Sequence, residues 1–193
     1  MIEWSLFSES WPQYAAGLWL TLQLTVFALA AGLVCAIPLA VLRVSPNPWV
    51  HGPVWLYGYF FRGTPMLVQL LLMYYGLGQF EWMQAQWADG NRFWLVLRDP
   101  YGCALLTFAL NTCAYTIEIL AGALRATPHG EIEAARACGM SRFTMLRRIL
   151  LPGALRRALP AYSNEIIFML HGTAIASTIT LVDLTGAARN AYS

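Results

Sequence analysis

The chain has 193 residues, of which 58% are apolar and 11% charged, with a net charge of +2. Ordinary soluble domains carry roughly 25% charged residues, so the composition argues against a soluble enzyme, and the small net charge argues against a nucleic-acid-binding module. It points instead to an all-α, polytopic membrane protein with room for four or five spans at about 20 residues each.

From the N-terminus, residues 1–12 hold Glu3 and Glu9 and no basic side chain, so the positively charged start of a signal peptide is missing. Trp4, Phe7 and Trp11 fit either a short segment at the lipid interface or a terminus with a few buried aromatics. Tyr14 to Leu42 is a charge-free run, which predicts a span over 17–42 with a kink at Pro38. Ala28, Gly32 and Ala36 recur every four residues, offering either a close-approach face for another helix or lipid-facing filler. Arg43 and the turn Val44-Ser45-Pro46-Asn47-Pro48 follow and read as a short cytoplasmic loop.

The second expected span covers 54–77. Arg62-Gly63-Thr64-Pro65 interrupts it, and Pro65, lacking an N–H, is expected to break or bend the helix. Arg62 is expensive in lipid and should lie at the boundary or face other helices. Residues 79–99 mix Trp82, Trp87 and Trp94 with balanced charge, which fits a loop at the outer interface, part of it an amphipathic surface helix. The third and fourth spans are expected over 101–124 and 160–181. The remaining residues, from Asp183, form a polar tail.

Between those spans lies a basic island, residues 125–157, with seven arginines and two glutamates, a local charge of +5 against −3 for the rest of the chain. Such an excess belongs on the cytoplasmic side, and with it the N-terminus is placed outside. Pro128-His129-Gly130 should break the third helix, and a short helix should follow with Glu131 and Glu133 near its positive end. Gly139 should end that helix, Ser141 should cap the next, and Leu151-Pro152-Gly153 should make another bend. The island is then either a helix that fits a cleft on a partner or a basic surface resting on anionic headgroups.

Several polar side chains fall inside the apolar runs. Glu118 and Glu165 would serve either as counter-charges along a solute path or as architectural partners that lock helices together. Asn111, Asn164 and Thr173 would line a path or hydrogen-bond between helices. His171 reads as a buried histidine or a proton relay, and Tyr115 and Tyr162 pack on a cavity or on other helices. Cys35, Cys103, Cys113 and Cys138 have no metal-ligand spacing, and no disulfide framework is expected. No Walker, HExxH or GxSxG pattern is present.

The arrangement Glu133-Ala134-Ala135, Gly139, Ile149 and Leu151-Pro152 resembles the signature of ABC importer permeases. Phe61-Arg62-Gly63-Thr64-Pro65 with Leu67-Val68-Gln69 resembles the polar amino acid branch of that family. So do Asn111-Thr112-Cys113-Ala114-Tyr115 with Glu118 and Gly122, Pro160-Ala161-Tyr162-Ser163-Asn164-Glu165 and, more weakly, Leu181-Val182-Asp183-Leu184. His171-Gly172-Thr173 is similar to the subgroup serving histidine, lysine, arginine and ornithine, with arginine and opine permeases close by. The resemblance covers nearly the whole chain and implies a single MetI-like transmembrane domain over 1–193 in the bacterial inner membrane. That fold usually has five spans, so the last is expected to be absent here.

The resemblance further implies coupling to an ATPase through Glu131, Glu133, Ala134, Ala135, Gly139, Arg142, Ile149, Leu151 and Pro152. A possible substrate path would run past Asn111, Tyr115, Glu118, Asn164, Glu165, His171 and Thr173, with Arg62, Gly63, Thr64 and Pro65 as a family motif. This chain would bind no cofactor or metal. ATP and Mg would sit on a partner ATPase dimer, beside a second permease, a different chain, and an extracytoplasmic amino-acid-binding protein. Two rival classes make other demands. An ion-coupled secondary transporter would use Glu118, Glu165 and His171 as ion or proton sites. A membrane enzyme or scaffold would use the tryptophan-rich loop as a surface.

Overall fold

The computed structural model describes residues 4–191, and the side chains of residues 4–10, 92 and 93 fall outside that description, as do the expectations for Trp4 and Phe7. Among the described residues the architecture is all-helical.

Helix α1 (Trp4–Arg43) is 40 residues long and keeps Pro12 and Pro38 within it. It is apolar nearly all round, as a helix between protein and lipid must be. Gly17, Thr21, Ala28, Gly32, Ala36 and Ala40 form its buried edge, and Trp19, Val26, Phe27 and Val34 point outward. That edge packs on α6 (Pro100–Arg125), the most enclosed helix of the molecule. A Cβ added at Gly32 would lie 2.5 Å from Thr112 Cγ2 and 3.2 Å from the Ala109 carbonyl oxygen. The small-residue repeat is therefore a helix-packing face, as one of the two sequence readings had it.

Helix α2 (Pro48–Gly63) begins where the Asn47 side chain accepts the Trp49 N–H at 3.0 Å, with Pro48 in the first turn, where no donor is needed. It stops at extended Thr64. Helix α3 (Met66–Leu71) restarts the run, loosening into a π turn (Leu72–Gly76) and a 3-10 turn (Leu77–Gln79). The second expected span is thus two helices meeting at Pro65. Two short helices, α4 (Glu81–Ala88) and α5 (Arg92–Leu95), turn back on each other across Gly90 at φ +70°. Trp82 meets Trp94 edge-on at 5.4 Å, and Trp87 Nε1 donates to the Trp94 carbonyl at 2.9 Å.

After α6 come α7 (His129–Ala137) and α8 (Arg142–Met145). A π turn (Leu146–Leu150) joins α8 to α9 (Leu151–Gly172), which tightens into 3-10 turns over Thr173–Ile179. Residues Arg142–Ile179 form one continuous helical run, so the helix that holds the fourth expected span starts well before Pro160. Leu151-Pro152-Gly153, the expected bend, does not break that run. The π turn resets the ladder, placing Pro152 in the first turn of α9, where its missing N–H costs nothing. The run ends at Thr180, φ +74°, and α10 (Leu184–Ala191) leaves at 54°.

The polar tail is structured. Asp183, 1% exposed, accepts the Gly186 N–H on Oδ1 at 2.8 Å and the Ala187 N–H on its carbonyl, capping α10. Thr21 Oγ1 accepts the Leu184 N–H at 3.2 Å, and Gly17 lets the Asp183 carbonyl approach α1. Two apolar clusters complete the interior. One gathers Ala36, Ala40, Val54, Ile117 and Ala154, the other Leu24, Leu70, Phe108, Met169 and Ile179. Among the described residues, Trp11–Arg43 and Pro100–Arg125 are long and apolar enough to cross a membrane unbroken, and Arg142–Ile179 with Leu184–Ala191 make a bent pair.

Candidate functional site: a polar-edged cavity and a helical island

A cavity of about 700 Å³ opens between the α2–α3 junction, α6 and α9. The junction supplies Arg62, Gly63, Thr64 and Pro65 to its wall. From α6 come Asn111 and Tyr115, and from α9 Asn164, Glu165 and Phe168. Sequence segments separated by up to a hundred residues thus share one wall.

The junction is held by side-chain amides. Pro65 cannot donate to Phe61, four residues back, which leaves a part-buried carbonyl without its helical partner. Gln69 Nε2 donates to that carbonyl at 2.8 Å and Asn111 Nδ2 at 3.3 Å. Gln69 Nε2 also meets the Thr64 carbonyl at 3.0 Å and Thr64 Oγ1 at 2.6 Å, and Gln69 Oε1 accepts from Asn111 Nδ2 at 3.1 Å. Helix α6 is in this way bonded to a break in its neighbour. Gln69 carries more of the site than the sequence reading gave it. The available signal was an amide four residues past a proline in an apolar run.

Glu165 is 7% exposed on the cavity wall, and the Thr112 hydroxyl faces its carboxylate without reaching hydrogen-bond geometry. Tyr115 and Asn164 are open to the cavity. Three of the candidate path residues lie elsewhere. Glu118 is off the lining, with Oε1 2.8 Å from Arg43 Nε and 3.6 Å from Arg62 Nη2, joining α1, α2 and α6. Thr173 is buried and donates from Oγ1 to the Leu170 carbonyl at 2.7 Å. His171 is exposed away from the cavity, so it is not the buried histidine expected. Tyr162 packs in the interior and donates to the Leu29 carbonyl at 3.3 Å. No group of metal-binding side chains is gathered among the described residues.

The island stands apart. In α7, Ala135 is buried while Glu131, Glu133, Ala134 and Arg136 are exposed. Among the described residues, Glu131, Glu133 and Arg142 form no ion pair within the chain. Gly139 at φ +70° donates to the Arg136 carbonyl and Met140 to that of Ala135, the paired bonds of a Schellman stop. Ser141 Oγ then accepts the Thr144 N–H at 3.3 Å, and Phe143 is 70% exposed beside it. A second cavity of about 460 Å³ separates Glu131 from Arg148, Ile149 and Pro152, while Leu151 is half-buried. Arg157 anchors the island, donating from Nε to the Ala123 carbonyl at 3.2 Å and from Nη2 to Thr127 Oγ1 at 2.6 Å.

Residues 13–193 match the family described as the binding-protein-dependent transport system inner membrane component. The histidine/lysine/arginine/ornithine transport system permease protein HisM of Escherichia coli K12 is 51% identical over 90% of this chain and 71% of its own length. The octopine transport system permease protein OccM of Rhizobium meliloti is 47% identical over 96% of this chain and 74% of its own. A solved amino acid ABC transporter, crystallised with histidines, superposes with a TM-score of 0.81 at 32% identity, covering 98% of this chain and 82% of that one. The methionine transporter MetNI shares the fold, with a TM-score of 0.69 at 22% identity over 86% of this chain and 74% of that one. With a family model spanning nearly its whole length, the chain belongs to the inner-membrane permeases of binding-protein-dependent ABC importers and is a subunit of amino acid transport, its ATPase residing on a separate subunit.

Proposed function

We propose that this permease imports basic amino acids (histidine, arginine, lysine and ornithine) through the 700 Å³ cavity. The observation that carries the reading is a buried carboxylate, Glu165, on the cavity wall of a chain about half identical to a histidine/lysine/arginine/ornithine permease. A cationic solute leaving water needs such a counter-charge. Asn111 and Gln69, bonded to the α2–α3 break, hold the wall, and Tyr115 and Asn164 face the solute. Octopine is the second reading, favoured by the 47% identity to an octopine permease over 96% of the chain.

In this reading the assembly holds a second, different permease chain, an ATPase dimer carrying ATP and Mg, and an external amino-acid-binding protein. The N-terminus faces the periplasm and the arginine-rich island the cytoplasm, following the charge asymmetry. The exposed helix α7, stopped by Gly139 and continued by Ser141, Arg142 and Ile149 toward Leu151 and Pro152, sits in the ATPase and passes its closure to α9. Its unpaired Glu131 and Glu133 supply contacts for the partner. The complete importer in vesicles, with binding protein outside and ATP inside, tests this. Uptake of radiolabelled arginine and histidine with weak glutamine competition supports it. Efficient glutamine uptake overturns the basic specificity, and preferential octopine uptake installs the second reading. Uptake without the ATPase overturns the coupling.

A further inference from the structure

Arg62 takes part in two arrangements at once. It lines the cavity, and its Nη2 lies 3.6 Å from Glu118 Oε1. The same oxygen receives Arg43 Nε at 2.8 Å, so one carboxylate faces two guanidiniums. The partners are not equivalent. Arg43 makes a short, charge-assisted hydrogen bond from a side chain 14% exposed. The Arg62 contact is longer than a hydrogen bond, and its side chain is 34% exposed, on the cavity side of the cluster. Arg62 is otherwise tied only to its own helix, with Nε donating to the Gly58 carbonyl at 3.2 Å. Gly58 puts no side chain between them, since even a Cβ there would only just touch Glu118 Oε1, at 3.7 Å, and Arg62 Nε, at 3.8 Å.

The cavity wall thus carries one cation and one anion, Arg62 and Glu165. An unopposed Arg62 would repel a cationic solute and offer Glu165 a competing partner. We infer that Glu118 is a specificity-determining positioning residue: it offsets part of the Arg62 charge and holds the guanidinium back, leaving Glu165 as the wall charge that a cationic amino acid meets. Glu118 acts through Arg62 and touches no solute. Arg43 keeps the carboxylate in place from the far side, as the shorter of the two contacts. The inference rests on the basic-substrate reading and gives that site its charge control.

The test uses the complete importer in vesicles, reading ATP-driven uptake of arginine and of glutamine as a ratio. One binding protein serves every variant, so its own preference cancels. E118Q lowers the arginine-to-glutamine ratio about three- to ten-fold, as for a unit charge uncovered at the edge of a partly solvated cavity. The double variant R62Q/E118Q restores the wild-type ratio. E118D, which draws the carboxylate back from Arg62, moves the ratio the same way by less, and serves where E118Q does not assemble. Uptake of both solutes falling together in E118Q and E118D, with the ratio unmoved, overturns the inference. So does a double variant that keeps the lowered ratio. The wild-type ratio reports separately on the substrate reading: a preference for glutamine overturns that reading, whereas the shift between wild type and E118Q decides the role of Glu118.

Discussion

Helix α6 meets α1 on one flank and α2, α3 and α9 on the other, and the two flanks are made of different materials. Toward α1 the contact is backbone against backbone, with Ala28, Gly32 and Ala36 letting the helices close until a single Cβ would not fit. Toward the cavity the contacts are amides and a broken neighbour helix, and the Glu118 carboxylate reaches Arg62 there as well as Arg43 at the end of α1. Close packing of small residues has one good arrangement, because dispersion falls off steeply with separation. Hydrogen bonds and ion pairs can be exchanged for others of similar worth. The α1–α6 seam is therefore the fixed post, and the opposite flank carries the exchangeable contacts.

Filling the seam should have the largest effect. G32L drives a branched side chain into Thr112 and the α6 backbone, and the expected loss is about 3 kcal/mol or more of stability. A fall in the thermal midpoint of the purified complex, along with its yield, checks this. Unchanged stability would make the seam a loose contact. On the other flank, Q69L removes one of the two side-chain donors to the Phe61 carbonyl and the amide donor to Thr64 at nearly constant volume, and costs about 2 kcal/mol for part-buried carbonyls left short of partners. Its distinctive result is lost uptake in complexes that still assemble. Uptake at the wild-type rate would show that the α2–α3 break needs no tie to α6.

Smaller effects belong to the island, outside both flanks. G139A asks a residue with a Cβ to take φ +70°, at about 1 kcal/mol. Under the coupling proposal it separates ATP hydrolysis from uptake: hydrolysis persists and transport falls, with the thermal midpoint nearly unmoved. Equal loss of both would place Gly139 outside the coupling step. S141A removes the cap of α8 at about 1 kcal/mol in local helix stability or less, this cap being exposed and long. Faster amide exchange at residues 143–145 is the expected sign, with uptake reduced less than in G139A.

The features legible in the sequence were those set by near neighbours in the chain. The four-residue spacing of small side chains along α1, the break at Pro65, the stop at Gly139 and the cap at Ser141 each follow from local geometry and are present as read. One proline in the island misled for an equally local reason. Pro152 predicts an interruption, but five residues of π turn shift the register ahead of it, and it lies within one unbroken run. The long-range pairings were out of reach. Glu118 meets Arg43 across 75 residues and Asn111 meets Gln69 across 42, and neither distance follows from spacing. The choice between solute contact and architecture for Glu118 needed the coordinates of three helices at once. Asp183 read as part of a polar tail because capping a buried helix and ending a chain use the same residue types.

The clasp of α10 on α1 gives the continuous run Arg142–Ile179 the mechanics of a crank. At 1.5 Å per residue, its 38 residues have a contour length of about 57 Å, from the island to Ile179. Such a run offers a continuous helical path from Ser141 to Thr180. There the chain is pinned: the Asp183 carbonyl seats on Gly17, and Thr21 holds the Leu184 amide. Residues 180–183 are the non-helical link between that run and α10. Under the coupling proposal, motion entering at the island is either taken up over those four residues or swings the middle of α9, with Asn164 and Glu165, across the mouth of the cavity.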